Sequence, residues 1–376
     1  MKRKIRVGVI FGGRSSEHEV SLVSATSVIQ ALDKDKYEVI PVGITKQGKW
    51  LSSSRTLALL KSGKGLDRVP ERVLLPDPTQ KGLVEFRGTG MDTTNEPLDV
   101  VFPVLHGPYG EDGTIQGLLD LANVPYVGAG VLSSALGMDK VVQKQIFERV
   151  GLPVTEYRAF LLKEYQRSPK IWVHEIEGAF PYPCFIKPAN LGSSVGITKA
   201  HTRKELQQGI VDAGRYDRKI LVERGIENAR EIECSVLGND DPRVSVPGEI
   251  IPSNEFYDYD AKYVDGKSKI IVPAELPRKV TKKIQDLAVK AFKAIDCSGM
   301  ARVDFLVTRG RHEIYICELN TIPGFTSISM YPKLWEASGL PYSKLLDVLI
   351  ELAVERHRER KKLQTSLKTK SRWYKK

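Results

Sequence analysis

The sequence predicts an α/β protein. An N-terminal doubly wound parallel-sheet lobe comes first, followed by an α+β C-terminal part built mainly on antiparallel sheets. Three observations carry this. The chain opens β-loop-α-β, it repeats a strand-loop-helix near residue 100, and it turns strand-rich with short connections from about residue 155.

Residues 5–11 (Ile-Arg-Val-Gly-Val-Ile-Phe) make a compact apolar strand that Gly12-Gly13 ends. Ser15-Ser16-Glu17-His18-Glu19 opens a helix with apolar positions at Val20, Val23, Val28 and Ala31, and a strand at 37–44 follows. From 46 to 96 Gly, Ser, Lys and Thr prevail without a strong period, which predicts short strands and loops. Residues 99–105 are the next strand, 106–113 its loop and 114–122 a helix. Ser133 and Ser134 precede one helical pattern (Leu136, Val141, Ile146, Val150) closed by Gly151 with Pro153 beyond.

The second half reads differently. Phe185-Ile186-Lys187 is a strand, 190–196 a glycine loop and 195–198 the returning strand; 220–222 and 231–237 continue the pattern. Residues 253–272, polar with several tyrosines, are expected to form a long mobile loop. A helix at 278–295 precedes strands at 300–307 and 313–319, and no internal repeat is present. The expected division is 1–132, 133–222 and 223–355, with a basic tail at 356–376.

At 376 residues the chain has room for two or three domains with real cores. Its 27% charged residues and 31 glycines exclude disorder, collagen-like and coiled-coil readings. The apolar run at 100–105 falls far short of the roughly 20 residues that span a bilayer. Arg6 and Gly12-Gly13 interrupt the basic start before it can serve as a signal peptide, so a cytoplasmic protein with no membrane partner is expected. Cys184, Cys234, Cys297 and Cys317 lie far apart with no C-x-x-C pair and read as small buried hydrophobes. The net charge of +11 is uneven: residues 355–376 carry ten Lys/Arg against two Glu. That stretch is expected to be a solvated, frayed extension, and nothing elsewhere interleaves aromatic and basic residues as nucleic-acid binding would require.

Three places could carry chemistry. Asn190-Leu191-Gly192-Ser193-Ser194-Val195-Gly196 lies between two strands, which excludes a Walker loop opening a helix. Its small residues would let backbone N–H groups approach an anion, with Lys187 beside them; a plain hairpin turn explains the loop equally well. Next, Arg302 and Asp304 share one face of an alternating strand, as do Glu318 and Asn320, and Thr308-Arg309-Gly310-Arg311 is short enough for a hairpin. If Asp304 lies opposite Glu318, Arg302 lies opposite Asn320, and hard oxygen donors suited to Mg²⁺ and nucleotide phosphates converge beside a guanidinium. The plainer alternative is a cross-strand ion pair on a solvated face. Finally, Glu17 stands near a helix N-terminus, where a carboxylate ordinarily complements the dipole for about 0.3–1 kcal/mol. His106 stands at a strand's C-terminal end, where open α/β sheets bind ligands.

Taken together, these segments resemble the D-alanine–D-alanine ligases of the ATP-grasp superfamily, from about residue 5 to about 350. The resemblance is carried by residues 12–21 (Gly-Gly-Arg-Ser-Ser-Glu-His-Glu-Val-Ser), His106-Gly107 with Gly110-Glu111-Asp112-Gly113-Thr114, and Gly137-Met138-Asp139-Lys140. Lys187-Pro188 with Gly192-Ser193-Ser194-Val195-Gly196, residues 256–263 (Phe-Tyr-Asp-Tyr-Asp-Ala-Lys-Tyr), Arg302-Val303-Asp304 and residues 318–326 (Glu-Leu-Asn-Thr-Ile-Pro-Gly-Phe-Thr) continue it in the family's order. It implies a two-part ATP-grasp that makes D-alanyl-D-alanine for peptidoglycan precursors.

The resemblance also implies roles. Asp304, Glu318 and Asn320 would hold Mg²⁺ or Mn²⁺, two ions in all, with a monovalent cation as a further activator. Lys140, Lys187, Ser194 and Val195 would meet the ATP phosphates, Glu223 and Glu231 the adenine and ribose, and Lys262 the transferred phosphate. Glu17, Ser193 and Tyr263 would hold the first D-alanine and tie down a lid over 253–272, with His106 beside that substrate. Arg302 and the Gly324 backbone would form the oxyanion site, and Ser329-Met330 the cradle for the second carboxylate. Tyr263 favours an amine acceptor over D-lactate, and a homodimer through the first lobe is implied. The sequence departs from some relatives in the longer 46–96 region and in Arg224-Gly225. A nicotinamide dehydrogenase is excluded because Gly8 and Gly12-Gly13 do not have the G-x-G-x-x-G spacing. A non-catalytic nucleotide-binding regulator would not need Arg302, Asp304, Glu318 and Asn320 together.

Overall fold

The opening apolar run becomes the centre of a seven-stranded sheet. Its strands are β1 (Ile5–Gly12), β2 (Tyr37–Ile44), β3 (Trp50–Ser52), β4 (Glu71–Leu74), β5 (Gly82–Arg87), β6 (Gly90–Pro97) and β7 (Val100–Val104), in the order β6-β5-β4-β3-β2-β1-β7. This is a computed structural model, and it describes residues 3–80, 82–87, 90–252, 268–326 and 328–366. β2, β1 and β7 are parallel, joined through α1 (His18–Ala31) on the β1–β2 side. From β3 to β6 each strand is antiparallel to its neighbour, because connections such as that between Ile44 and Trp50 are too short for a parallel crossover. The region 46–96 also holds α2 (Thr56–Ser62), which no periodicity announced.

Both faces of the parallel part are covered, which is why β1 and β7 read as unbroken apolar runs. Val7, Val9, Phe11, Phe102 and Val104 pack with Leu22, Ala25 and Val28 of α1 and with Leu345, Leu346, Leu349 and Ile350 from the end of the chain. Ile10, Ile40, Val42 and Val101 pack on the other side with Ile115 and Leu119 of α3 (Thr114–Leu121).

The single helix expected from Ser133 onward is two: α4 (Val131–Met138) and α5 (Lys140–Arg149). Asp139 breaks it. Its backbone is extended (φ −86°, ψ 99°) and its carboxylate accepts the N–H groups of Val141 and Val142 at 3.1 Å each. Such a cap stabilises by about 1 kcal/mol. Ser133 and Ser134 therefore lie inside α4, and Lys140 begins a new helix with its side chain free to turn elsewhere.

A second sheet holds β8 (Tyr157–Leu161), β9 (Cys184–Pro188), β10 (Thr198–Ala200) and β11 (Lys219–Arg224), antiparallel in the order β10-β9-β11-β8. Behind it α6 (Leu162–Arg167), α7 (Pro169–Ala179) and α8 (Arg203–Ala213) close a core of Phe160, Ile186 and Val222 with Val173, Ile176, Leu206 and Ile210. A third sheet runs β15-β14-β12-β16-β17, with β13 on β12. Its strands are β12 (Ala229–Gly238), β13 (Arg243–Val244), β14 (Gly248–Ile251), β15 (Lys269–Ile271), β16 (Gly299–Thr308) and β17 (Ile314–Asn320). α9 (Arg278–Ala294) lays Ile284, Ala288, Ala291 and Phe292, spaced i, i+4, i+7 and i+8, against it as one apolar stripe. Of the expected mobile loop, residues 253–267 lie outside the described residues, and Lys269–Ile271 is strand.

After α10 (Met330–Ala337), α11 (Tyr342–Lys362) carries the chain back onto the first sheet. Residues 356–362, expected to begin a solvated extension, continue this helix. Arg356 donates to the carbonyls of Gly128 and Tyr126 and to Ser298 Oγ, and Arg360 pairs with Asp120. Lys36 Nζ and Tyr37 Oη reach Asp347 at 2.7 and 2.9 Å. The four cysteines are free, and burial pushes the Cys184 and Cys297 thiols up to about 12, as their inert reading requires. No helix of the described residues is long and apolar enough to cross a membrane.

Candidate active site

The third sheet brings together the polar set that alternation placed on one face. Arg302 stands opposite Asn320 and Asp304 opposite Glu318, the register the hairpin argument predicts. A bulge between Asp304 and Phe305 separates the matched pairs from the turn end of the hairpin. Arg302 Nε and Nη2 each donate to Asp304 at 2.7 Å, and Asn320 Nδ2 donates to Asp304 Oδ2 at 3.0 Å. From β12, Glu233 adds its Oε2 at 3.0 Å from Arg302 Nε. Burial by itself would lower the Arg302 guanidinium, but Asp304 and Glu233 outweigh it and hold it well above its ordinary range. Sequence reasoning missed Glu233, although its i, i+2 spacing from Glu231 announced it.

Two lysines arrive from other elements. Lys140, placed by the Asp139 cap, donates to the Leu191 carbonyl at 2.9 Å and lies 3.1 Å from Glu318 Oε2, joining the glycine loop to the carboxylate face. Lys187, on β9, donates to Glu223 Oε2 at 3.2 Å. Burial would lower the Lys187 ammonium, but Glu223 and other nearby acidic groups raise it. Lys187, Ser194, Glu223 and Glu231 line a cleft of about 310 Å³ with Arg302, Asp304 and Glu318, between the second and third sheets. The glycine loop forms turns rather than the expected strand from Val195. Ser193 and Ser194 take left-handed backbone (φ 51° and 59°), which bends the loop over the cleft. Val195 N–H is held within it by the Gly192 carbonyl at 3.2 Å.

Glu17 does not cap its own helix. Its side chain makes no cap bond there; Ser193 Oγ of the glycine loop donates to its Oε1 instead. A Cβ at Gly192 would come 2.8 Å from Glu17 Oε2, and one at Gly107 2.5 Å, so both positions need glycine for this approach. Among the described residues Glu17 Oε2 has no hydrogen-bond partner. His106 is buried beside it, with Nε2 3.0 Å from Ser24 Oγ and Nδ1 3.2 Å from the Ile322 carbonyl and 3.5 Å from Glu111. Glu111, unremarked in the sequence beyond its motif, therefore belongs to this cluster.

Farther along, a Cβ at Gly324 would lie 3.1 Å from Ser329 Oγ, which accepts from the Thr326 N–H at 3.1 Å. Met330 is buried against Ile250 and Leu334, so its side chain is core and only its backbone, at the start of α10, is placed to serve a ligand. Lys262 and Tyr263 lie outside the described residues.

No three His, Cys, Asp or Glu side chains form a metal-holding group among the described residues. The oxygen set is two carboxylates with the Asn320 amide. Hard donors already balanced by Arg302 and Lys140 are chemistry that suits a Mg²⁺-sized ion shared with phosphates.

A cleft between two antiparallel sheets, lined by lysines, carboxylates and a guanidinium under a glycine loop, defines the ATP-grasp class. Residues 6–129 match the family model "D-ala D-ala ligase N-terminus" and residues 146–351 the model "D-ala D-ala ligase C-terminus"; the chain belongs to the D-alanine–D-alanine ligase family. It is 53% identical over 363 residues to D-alanine–D-alanine ligase of Caldicellulosiruptor bescii, covering 96% of this chain and 99% of that one. It is 55% identical over 360 residues to the Thermoanaerobacter pseudethanolicus ligase, covering 95% and 98%. Among solved structures it is similar to the D-alanine-D-alanine ligase from Coxiella burnetii (TM-score 0.82, 38% identity, 96% of each chain). It is also similar to the VanG D-Ala:D-Ser ligase from Enterococcus faecalis (TM-score 0.82, 39% identity, 93% of this chain and 100% of that one).

Proposed function

We infer that the chain joins two D-alanines into D-alanyl-D-alanine with ATP, through an acyl phosphate, for cell-wall precursor synthesis. The observation that carries this reading is the cross-strand register of Arg302 and Asp304 with Asn320 and Glu318, beside Lys140 and Lys187.

A carboxylate is a poor acylating agent, so ATP supplies the leaving group: the first D-alanine carboxylate attacks the γ-phosphorus, whose bond to the β–γ bridging oxygen breaks to release ADP. The free amine of the second attacks the acyl-phosphate carbonyl, expelling phosphate and giving up a proton as the amide forms. Lys140 and Lys187, with Ser194 and Val195, neutralise and cover the phosphates, joined by Lys262. Asp304, Glu318 and Asn320 would hold two Mg²⁺ or Mn²⁺ ions, which would supply charge neutralisation at the phosphates. Glu17, with Oε2 unshared, accepts the ammonium of the first D-alanine, while Ser193 and Tyr263 fix its orientation and His106 bounds the pocket. Arg302 and the Gly324 N–H stabilise the developing oxyanion, and removing one such donor typically costs about 2.7–4 kcal/mol of barrier. Ser329 and the Met330 backbone take the second carboxylate. Glu223 and Glu231 bind adenine and ribose.

The division 1–132, 133–222 and 223–355, a homodimer through the first lobe and a monovalent activator belong to the same proposal. So does a cytoplasmic location, which four free cysteines favour. The test is phosphate release from ATP with D-alanine, with mass-resolved products for D-alanine, D-serine and D-lactate as acceptors. D-alanine-dependent release with the dipeptide as product is expected. Bound nucleotide without turnover would overturn the reading in favour of a regulator.

A further inference from the structure

One fully buried lysine has no part in the chemistry above. Lys144 lies one helical turn after Lys140 on α5, with its side chain wholly shielded from solvent. Its Nζ is 3.0 Å from Thr155 Oγ1 and 3.6 Å from Glu223 Oε1, and it stands 5.8 Å over the Tyr157 ring. Thr155 Oγ1 in turn donates to Glu223 Oε2 at 3.3 Å. Glu223 is thus a buried carboxylate between two ammonium groups, Lys144 behind it and Lys187 on the cleft side.

These two cations are not equivalent. Lys187 lines the cleft that receives ATP, and a triphosphate there competes with Glu223 for its charge. Lys144 does not line that cleft and cannot be drawn away. A carboxylate left without a counter-charge in this dry position would take up a proton. Burial alone would raise the Glu223 carboxyl; Lys144 and then Lys187 outweigh it and keep it below the ordinary range.

Glu223 lines the cleft beside Phe185, Ile197 and Cys317, and among the described residues its Oε1, on the Lys144 side, has no hydrogen-bond donor. An ionised acceptor in such a slot suits the exocyclic amine of adenine and repels a 6-oxo purine. We propose that Lys144 is a positioning residue that keeps Glu223 an ionised acceptor when Lys187 turns to the phosphates, and thereby sets the preference for a 6-amino purine nucleotide. This rests on the reading that ATP occupies the cleft with its base at Glu223.

Calorimetric binding of ATP and of inosine triphosphate to the full-length protein tests it, with Lys144→Met, Lys144→Arg and Glu223→Gln beside the wild type. Lys144→Met should weaken ATP binding about tenfold or more, as removing the partner of a buried charge does. Inosine triphosphate should lose less or gain, because a protonated Glu223 can donate to its 6-oxo oxygen, and the KM for D-alanine should stay within about twofold. Lys144→Arg should keep the preference for ATP. Equal weakening of both nucleotides in Lys144→Met would overturn the role of Lys144. An unchanged preference in Glu223→Gln would overturn the placement of the base itself. If Lys144→Met does not fold, loss of the preference in a folded Lys144→Arg likewise overturns the charge argument.

Discussion

Glu233 Oε2 lies 3.0 Å from Arg302 Nε, on the strand opposite, while Asp304 grips the same guanidinium with both oxygens. If Asp304 turns to a divalent ion, Glu233 is the group left to aim Arg302. Glu233→Gln should lower kcat by up to about 100-fold, because the guanidinium it aims would be misplaced, with the KM for ATP little changed. Steady-state kinetics with both substrates varied would check this; a rise in KM alone would refute the orienting role.

Glu318 balances Lys140 at 3.1 Å as well as facing Asp304 across the hairpin. Glu318→Ala should reduce turnover by at least about a hundredfold without unfolding the chain, because the side chain is on the cleft wall and not in a core. Circular dichroism and Mn²⁺ binding by electron paramagnetic resonance separate folding from metal loss. Near-normal Mn²⁺ affinity would dismiss Glu318 as a ligand.

The cluster of Glu17, His106 and Glu111 predicts a pH dependence of stability. Burial raises the Glu111 carboxyl above its ordinary 4.5; the His106 contact opposes this and the Glu17 charge adds to it. Burial would lower the His106 imidazole, but Glu111 and then Glu17 carry it above 6.5. Both groups hold protons more tightly folded than unfolded. Their stabilisation is therefore complete below the unfolded values and is lost as pH rises from 4.5 through and past 6.5. Urea unfolding at about pH 5 and about pH 8 should show a larger loss in the wild type than in Glu111→Gln. Equal losses would contradict the assignment.

Arg356 ties α11 to both the first lobe and the third sheet, through the carbonyls of Gly128 and Tyr126 and through Ser298 Oγ, with its guanidinium 4.6 Å from the Tyr126 ring centroid. Arg356→Met would leave buried acceptors without donors and should cost about 3 kcal/mol. Thermal unfolding measures it. An unchanged transition would mean that water replaces the guanidinium at no cost.

Much of this architecture was legible because it is written in short-range pattern. The alternation of Arg302 and Asp304, and of Glu318 and Asn320, put each pair on one face with a short hairpin between, and the register observed is the one in which Asp304 lies opposite Glu318. The helix read as one from Ser133 failed because periodicity continues across Asp139, and only the side-chain cap reveals the break. The extension expected after residue 355 proved helical as far as Lys362, because Arg356 and Arg360 find partners more than two hundred positions away.

What the sequence alone determined was which residues share a face and in what order the family's motifs follow, since side-chain direction repeats every two residues in a strand and about every 3.6 in a helix. What only tertiary structure decided was which faces meet. Glu17 and Ser193 are 176 positions apart, and Lys144 and Glu223 lie on different elements, yet each pair forms one polar centre. No local period encodes such a meeting. It follows from burying three sheets against their helices, which offsets the entropy of closing those long loops.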